Sequence, residues 1–494
     1  MPSILALDQG TTGSTALVIH QDGTILGRGY REIPQYYPEP GWVEHDPEDL
    51  FLNTLAAARD AIHAAREMPT GMGITNQRET VVVWERKTLR PVHRAIVWQD
   101  RRTTGRCEEL KTQGREPWIR ERTGLLLDPY FSATKLEWLL RDPGLARRAE
   151  RGELAAGTVD SWLIARLTGG AVHVTDHTNA SRTLLYDLET RSWNPELLGL
   201  FSVPETVLPR VARSSEVVGE AANEHLGAVL PIAGIAGDQQ AALFGQGCVQ
   251  AGAAKNTYGT GAFLLVHAGE ARPEAGPGLL TTVACGPKGE PAYAIEGSVF
   301  IAGAAVQWLR DGLGLIASAS ETEALARSVP DTGGVHFVPA FVGLGSPHWE
   351  PNARGTITGI TRGTTRAHLV RAALEAMAFG SRDLLDAMVQ RSDLQVPCLR
   401  VDGGAAANDW LMQFQADILG LPVERPPVVE TTALGAAKLA AMALGVWGGG
   451  EEPPGLAARE VFTPHGDAAW RQSQLLGWRR AVEAALSWAR VKGS

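Results

Sequence analysis

Residues 3–29 read SILALDQGTTGSTALVIHQDGTILGRG. Three apolar runs, SILAL, ALVI and TILGRG, are separated by a Gly-Thr loop and an Asp22-Gly23 turn. Runs rich in Ile, Leu and Val between turn-forming gaps predict a strand, a glycine loop, a second strand, a hairpin and a third strand. Helical patterns follow at 45–65, which opens HDPEDL with acids in its first turn, and at 132–140. Strands mixed with helices make this an α/β chain. The same grammar returns at 255–267, KNTYGTGAFLLVH, followed by LLTTVAC, AYAIEGSV and the helical AAVQWLRDGLGL. Further on come VRAALEAMAFGSRDLLDAM, the strand LRVD and a helix beginning near Asn408. A Gly-Thr loop at the start of each half favours a duplication, with lobes 1–248 and 249–494 meeting near 246–254.

The 494 residues carry 46 Lys+Arg against 55 Asp+Glu, a net charge of −9. That length is roughly three average domains or two large ones. An acidic surface argues against sequence-independent nucleic-acid binding, because phosphate contacts need a basic face. The four cysteines, Cys107, Cys248, Cys285 and Cys398, lie too far apart for redox or zinc pairs. No basic leader precedes the first apolar run, and the most apolar helical stretch, 432–447, is too short and too rich in Ala and Gly to span a bilayer. These features predict a cytoplasmic protein with no membrane insertion. Glycine is enriched, 55 residues or roughly 11% against a usual ~7%, and scattered as tight turns require.

Several segments hold groups suited to chemistry, each with a plainer alternative. In Asp8 to Thr15, backbone N–H groups and hydroxyls could wrap an oxyanion, beside a carboxylate able to hold a hydrated divalent cation. An ordinary Gly-Thr hairpin would look the same. Asp238, in GIAGDQQAA, is either a helix N-cap or an acceptor for a hydroxyl proton. Residues 75–80, TNQRET, are either a solvated turn or a recognition element in which Arg78 and Glu79 offer donors and acceptors to adjacent hydroxyls. Trp98 in WQDRR adds an aromatic surface, DPYF at 128–131 reads as a turn, and VDGGAAAN at 401–408 as a strand, glycine turn and Asn-capped helix that could admit a nucleotide. Walker, dinucleotide, serine-hydrolase and zincin motifs are missing.

Together the segments LALDQGTT, GWVEHDP, ITNQRET, IVWQDRR, DPYFSATK, GTVDSWLI, VTDHTNASRTLL, GIAGDQQAALFGQ, KNTYGTG, FVPAFVGLGSP and RVDGGAAANDWLMQFQADIL closely resemble the FGGY carbohydrate-kinase family of the actin-like ATPase superfamily, nearly end to end. YFSATKLEWL and GTITGITRG…HLVRAALE match its two signatures. The resemblance implies two ribonuclease-H-like lobes around an interdomain catalytic cleft, and ATP-dependent phosphorylation of glycerol to sn-glycerol 3-phosphate. It implies glycerol contacts at Arg78, Glu79, Tyr130, Asp238 and Gln239, with Trp98 and Phe263 as the apolar wall. Thr11, Thr12 and Gly13 match the first phosphate loop and Thr260 the second, while Gly303, Gln307, Gly404 and Asn408 match further nucleotide contacts. Asp238 is implied as general base, and Asp8 with Asp238 as holders of Mg2+. Homo-oligomers, dimeric or tetrameric, are usual in the family.

Two departures stand out. The family pattern D-Q-G-T-T-x-x-R ends here in Thr15, so a cation beside the transferred phosphate is lost or supplied from elsewhere. Val229 stands where some bacterial members carry an arginine for inhibition by fructose 1,6-bisphosphate, and weak inhibition is expected. His225, one position out of step with a phosphorylatable histidine of other members, reads as a surface-loop residue. The rival readings are a family member acting on another polyol or ketose, and a non-enzymatic actin-like ATPase module. The T-N-Q-R-E and D-P-Y-F segments favour glycerol over both.

Overall fold

The computed structural model describes residues 2–428, 430–447 and 458–490. In the first half, strands β1 (Ser3–Gln9), β2 (Gly13–His20), β3 (Ile25–Glu32), β4 (Gly71–Asn76), β5 (Ser215–Ala221) and β6 (Leu230–Gly237) form one sheet in the order β5-β6-β4-β1-β2-β3. The three opening strands are antiparallel neighbours, and β4 and β6 join them in parallel. The hairpin expected at Asp22-Gly23 is present, with Gly23 at φ 91°.

The second sheet contains β7 (Ala254–Tyr258), β8 (Ala262–Gly269), β9 (Leu280–Cys285), β10 (Pro291–Val299), β11 (Leu399–Gly403), β12 (Val423–Arg425) and β13 (Glu460–Phe462), ordered β9-β10-β8-β7-β11-β12-β13. Its run β10-β8-β7-β11-β12 repeats β3-β2-β1-β4-β6 with the same strand directions. The short resemblance between the two Gly-Thr loops therefore reflects a structural repeat: each loop follows the first strand of its sheet.

Helix α1 (Pro47–Ala65) starts where its sequence dictates. Asp46 caps it by accepting from the Glu48 N–H, and Pro47 occupies the first turn, where no N–H is needed. Its Leu50, Phe51, Leu55 and alanine face closes one side of the first sheet. The other side is closed from a distance. Helix α4 (Asp238–Gly245) leaves the first sheet to pack on the second, whereas α8 (Thr431–Ala443) leaves the second sheet to pack on β1, β4 and β6 of the first. Other helices include α2 (Ala133–Leu139), α3 (Val159–Leu167), α5 (Gly303–Asp311), α6 (Arg366–Val389), α7 (Asp409–Leu419) and α9 (Ala468–Arg490).

The exchange explains why TTALGAAKLAAMA is so poor in bulk. A Cβ on Gly73 would lie 2.1 Å from the Ala436 carbonyl oxygen, and one on Gly435 would lie 1.9 Å from that of Ala241. Small residues bring α8 onto the sheet and onto α4, and Leu434 and Leu439, each worth about 1.5–3 kcal/mol when fully buried, anchor it. Among the described residues no helix is long and apolar enough to cross a membrane.

His225 departs from expectation. It lies in the short helix Asn223–Leu226, its ring edge-on to Phe51 at 5.4 Å and its Nε2 3.2 Å from the Arg166 carbonyl. Packing against α1 and α3, not a free loop, explains this position. Val229 beside it is exposed.

Candidate active site

Arg78 and Glu79 occupy the tight connection between β4 and the strand Val81–Glu85. They are 3% and 1% exposed, so the solvated-turn reading fails. Glu79 is left-handed, φ 62°, and the Thr80 N–H donates to the Arg78 carbonyl at 2.7 Å across it. Such a conformation costs of order 1–3 kcal/mol and persists only where the surroundings hold it. Here Ser132 Oγ donates to the Glu79 carbonyl at 3.0 Å, and Arg182 Nε donates to Glu79 Oε1 at 2.7 Å.

From Glu79 a chain of buried charge runs between the lobes. Arg182 Nη2 donates to Glu296 Oε1 at 2.9 Å, and Arg78 grips the same carboxylate with Nη1 at 2.6 Å and Nη2 at 3.1 Å. Arg78 Nη1 also donates to Gln240 Oε1 at 3.2 Å, and its Nε lies 3.2 Å from Asp238 Oδ1. Burial alone would raise the Glu296 pKa, but Arg182 and Arg78 outweigh it and hold the carboxyl at about 2. Glu79 goes the other way: burial pushes it up despite the same two arginines.

Asp238 is the first residue of α4, and Gly237 takes the N-cap position. The simple capping alternative for Asp238 is thereby excluded. Its Oδ1 accepts from the Gln239 N–H at 2.7 Å, and the side chain remains 31% exposed at the cleft. Gln239 is buried, and its Oε1 receives Lys255 Nζ at 2.5 Å.

Tyr130 joins this group from the DPYF turn, where Asp128 Oδ1 accepts its N–H at 2.8 Å. Lys135, fully buried, donates to the carbonyls of Pro129, Tyr130 and Phe131 at 2.6, 2.8 and 3.1 Å. Burial pushes the Tyr130 phenol up, so it stays neutral. Trp98 stands edge-on to Tyr130 at 5.5 Å and donates Nε1–H to Thr11 Oγ1 at 2.9 Å, linking Tyr130 to the first glycine loop. Phe263 comes from the second lobe, packed beside Leu243 and Leu265.

Each of the two loops is closed by a backbone hydrogen bond from its first glycine. The Gly10 N–H donates to Gly13 O at 2.9 Å and the Gly259 N–H to Gly261 O at 2.8 Å, so each loop closes on itself. Thr12 and Thr260 are exposed, Thr11 is half-buried and Gly13 is buried. Gly303 binds the second loop: its N–H donates to Gly259 O at 3.0 Å, and a Cβ there would sit 2.6 Å from that oxygen. That N–H is occupied and is therefore not offered to a nucleotide. Gly404 is exposed with open space above its Cα, Gln307 is exposed on α5, and Asn408 caps α7 by accepting from the Leu411 N–H at 2.9 Å. The Asn-capped helix expected at that point is therefore present.

Asp8 is half-buried at the end of β1, in register with Thr15 of β2 and Thr75 of β4. Burial and the like charge of Asp238 push its carboxyl up to about 7. Thr75 Oγ1 is buried without a partner. Two mutually repelling carboxylates beside an unpartnered hydroxyl fit a divalent cation. Among the described residues no three His, Cys, Asp or Glu side chains converge as a metal cage.

Motif reading assigned no role to Arg182, Gln240, Lys255 or Glu296. The available signal was weak: a lone acid in the apolar strand AYAIEGSV and a lone lysine near the start of β7. Arg102 of WQDRR is structural, ion-paired to Asp100 and Glu44 and stacked 3.7 Å from the Trp42 ring.

Residues 3–245 match the FGGY family of carbohydrate kinases, N-terminal domain, and residues 254–444 match its C-terminal domain. The chain belongs to the FGGY family of carbohydrate kinases, built on the two-domain actin-like ATPase fold. Among its relatives, a glycerol kinase of Alkalilimnicola ehrlichii is 56% identical over 99% of both chains, and glycerol kinase 2 of Thermotoga maritima is 54% identical over 99% of both. The crystal structure of Plasmodium falciparum glycerol kinase with ADP superposes with a TM-score of 0.92, at 35% identity over 98% of each chain. A xylulose kinase of Lactobacillus acidophilus, 21% identical with a TM-score of 0.88, shares the fold.

Proposed function

We propose that the chain transfers the γ-phosphoryl group of ATP to a terminal hydroxyl of glycerol, giving sn-glycerol 3-phosphate, between lobes 1–248 and 249–494. The observation that carries this reading is the convergence of Arg78, Glu79, Tyr130, Asp238 and Gln239, supported by a buried ion network reaching Glu296. A three-carbon polyol has little surface, so its selection rests on matching several hydroxyls at once. Sites built this way reject analogues that leave a buried group unpaired. Arg78 donates three of its five N–H groups to Glu296 and Gln240 and directs Nε at Asp238, leaving one on Nη2 for a substrate oxygen. Glu79 Oε1 is held by Arg182, and Oε2 is available to accept a hydroxyl proton.

Asp238 is the general base. It is reachable at the cleft, and Arg78 and its own helix orient the carboxylate for the attacking hydroxyl. Phosphoryl transfer depends mainly on alignment and charge neutralisation. Thr11, Thr12, Gly13 and Thr260 face the phosphates, and Gly303, Gln307, Gly404 and Asn408 frame the nucleoside. Asp8 and Asp238 would hold Mg2+, which when bound disperses the phosphate charge. A cytoplasmic homo-oligomer, dimer or tetramer, completes the reading.

A coupled ADP-release assay over a panel of polyols and ketoses tests it. Glycerol-dependent turnover is expected, falling at least about a thousandfold in Asp238→Asn, the scale of a lost base plus misaligned hydroxyl. Turnover that ignores added acceptor would instead indicate a partner-moving ATPase, and turnover surviving in the variant would remove Asp238 as base.

A further inference from the structure

Lys255 is the second residue of β7, and its side chain is fully buried. Its Nζ donates to Gln239 Oε1 at 2.5 Å, across the junction between β7 and α4, and to Thr257 Oγ1 at 2.8 Å. Burying an ammonium is costly unless its hydrogen bonds are made. Burial lowers its pKa to about 8, against the opposing pull of Asp402 and Asp238, so the amine stays mainly protonated at neutral pH.

We propose that Lys255 is a positioning residue that fixes the side-chain amide of Gln239, so that Gln239 meets the substrate only as a hydrogen-bond donor. The inference rests on the reading of Gln239 as an acceptor-substrate ligand. An ammonium has three donors and no acceptor, so the amide oxygen must face Lys255. The two ends of a carboxamide are nearly the same shape, and only hydrogen bonding decides which way it points. With Lys255 in place the oxygen is occupied, and the Nε2 hydrogens are left for the cleft.

A hydroxyl oxygen beside Gln239 then accepts a hydrogen bond and must direct its own proton elsewhere. The acceptors at hand are carboxylates: Asp238 next to Gln239 in sequence, and Glu79 beyond Arg78. The direction of the network, from Lys255 through Gln239 to the substrate oxygen and on to a carboxylate, is the direction in which deprotonation proceeds. Without Lys255 the amide can turn over and present its oxygen, competing with the carboxylates for the same proton.

A double-mutant cycle tests the idea. Lys255→Met, Gln239→Ala and the pair are compared with wild type by glycerol KM, ATP KM and ADP affinity from titration calorimetry. Because one directional hydrogen bond is at stake, Lys255→Met should raise glycerol KM about tenfold, with ATP KM and ADP affinity within about twofold of wild type. In the Gln239→Ala background the same substitution should change glycerol KM by less than about twofold, because its target is gone. An equal loss in both backgrounds overturns the proposal, as does a parallel loss of nucleotide affinity. Unchanged glycerol KM in Gln239→Ala alone removes Gln239 as a ligand, and the inference with it. Absence of glycerol-dependent turnover in wild type would instead refute the functional reading itself.

Discussion

Arg78 and Glu296 are separated by 218 positions and belong to different lobes, yet their side chains meet through two hydrogen bonds with no solvent between them. Removing one member of such a pair strands the other: the penalty is roughly 3–5 kcal/mol, more than a surface pair could ever contribute. Glu296→Gln should lower the melting temperature clearly and raise glycerol KM more than ATP KM, since Arg78 loses its main anchor. Calorimetry and steady-state kinetics check this. A variant with wild-type stability would show that the two charges are not mutually dependent.

Lys135 acts at one remove from the proposed substrate site. Its three hydrogen bonds satisfy the carbonyls of Pro129, Tyr130 and Phe131 and fix the ring of Tyr130 against Trp98. Lys135→Met leaves three buried carbonyls without that donor, each worth about 1–3 kcal/mol if unsatisfied. The expected result is loss of stability together with a raised glycerol KM. Unaltered glycerol KM in a folded Lys135→Met protein would separate the turn from substrate binding.

Neighbouring glycines should behave differently. Gly403 has φ 86°, and a Cβ on it would lie 2.3 Å from the Tyr258 carbonyl oxygen, whereas Gly404 has nothing within 4 Å. Gly403→Ala should therefore lower stability and disturb the second loop. Gly404→Ala should fold normally and weaken nucleotide binding alone, measurable as ADP affinity by calorimetry. Normal ADP affinity in Gly404→Ala would place the nucleoside elsewhere.

Glu375 provides a pH test away from the cleft. It is buried in α6, and burial pushes its carboxyl up to about 7 although Arg371 Nε lies 2.9 Å away. Its ordinary value is 4.5, so the folded protein binds this proton more tightly than the unfolded chain. Above pH 7 the carboxylate is charged in both states and its burial cost is fully felt; below pH 4.5 the cost is gone. Relative to wild type, Glu375→Gln should gain stability as pH rises from 5 to 8, by up to about 3 kcal/mol. Urea midpoints at the two pH values measure it. A difference that does not move with pH would mean that Glu375 does not titrate in this window.

Local chemistry made much of this protein legible in its residues. Three apolar runs parted by glycine turns could form little but an antiparallel meander, and HDPEDL could begin only a capped helix. The set Arg78, Glu79, Tyr130, Asp238 and Gln239 follows from the family resemblance of the segments that hold it, whereas local composition alone leaves Asp238 open to a capping role and DPYF as a plain turn.

Other features needed the tertiary structure. Nothing in TNQRET distinguishes a buried Arg-Glu pair from a solvated one; burial does, and it depends on Arg182 and Glu296 arriving from far along the chain. Whether Asp238 caps its helix or faces the cleft turned on one residue of register, since Gly237 occupies the cap. The exchange of α4 and α8 between the lobes was equally hidden: a run of alanines declares that something packs closely but not against which sheet. Turns, caps and strand runs are decided by neighbours a few residues apart, and sequence alone determined those. The charge network and the polarity of Gln239 depend on groups brought together through the fold, where desolvation makes each partner obligatory, and only tertiary structure decided them.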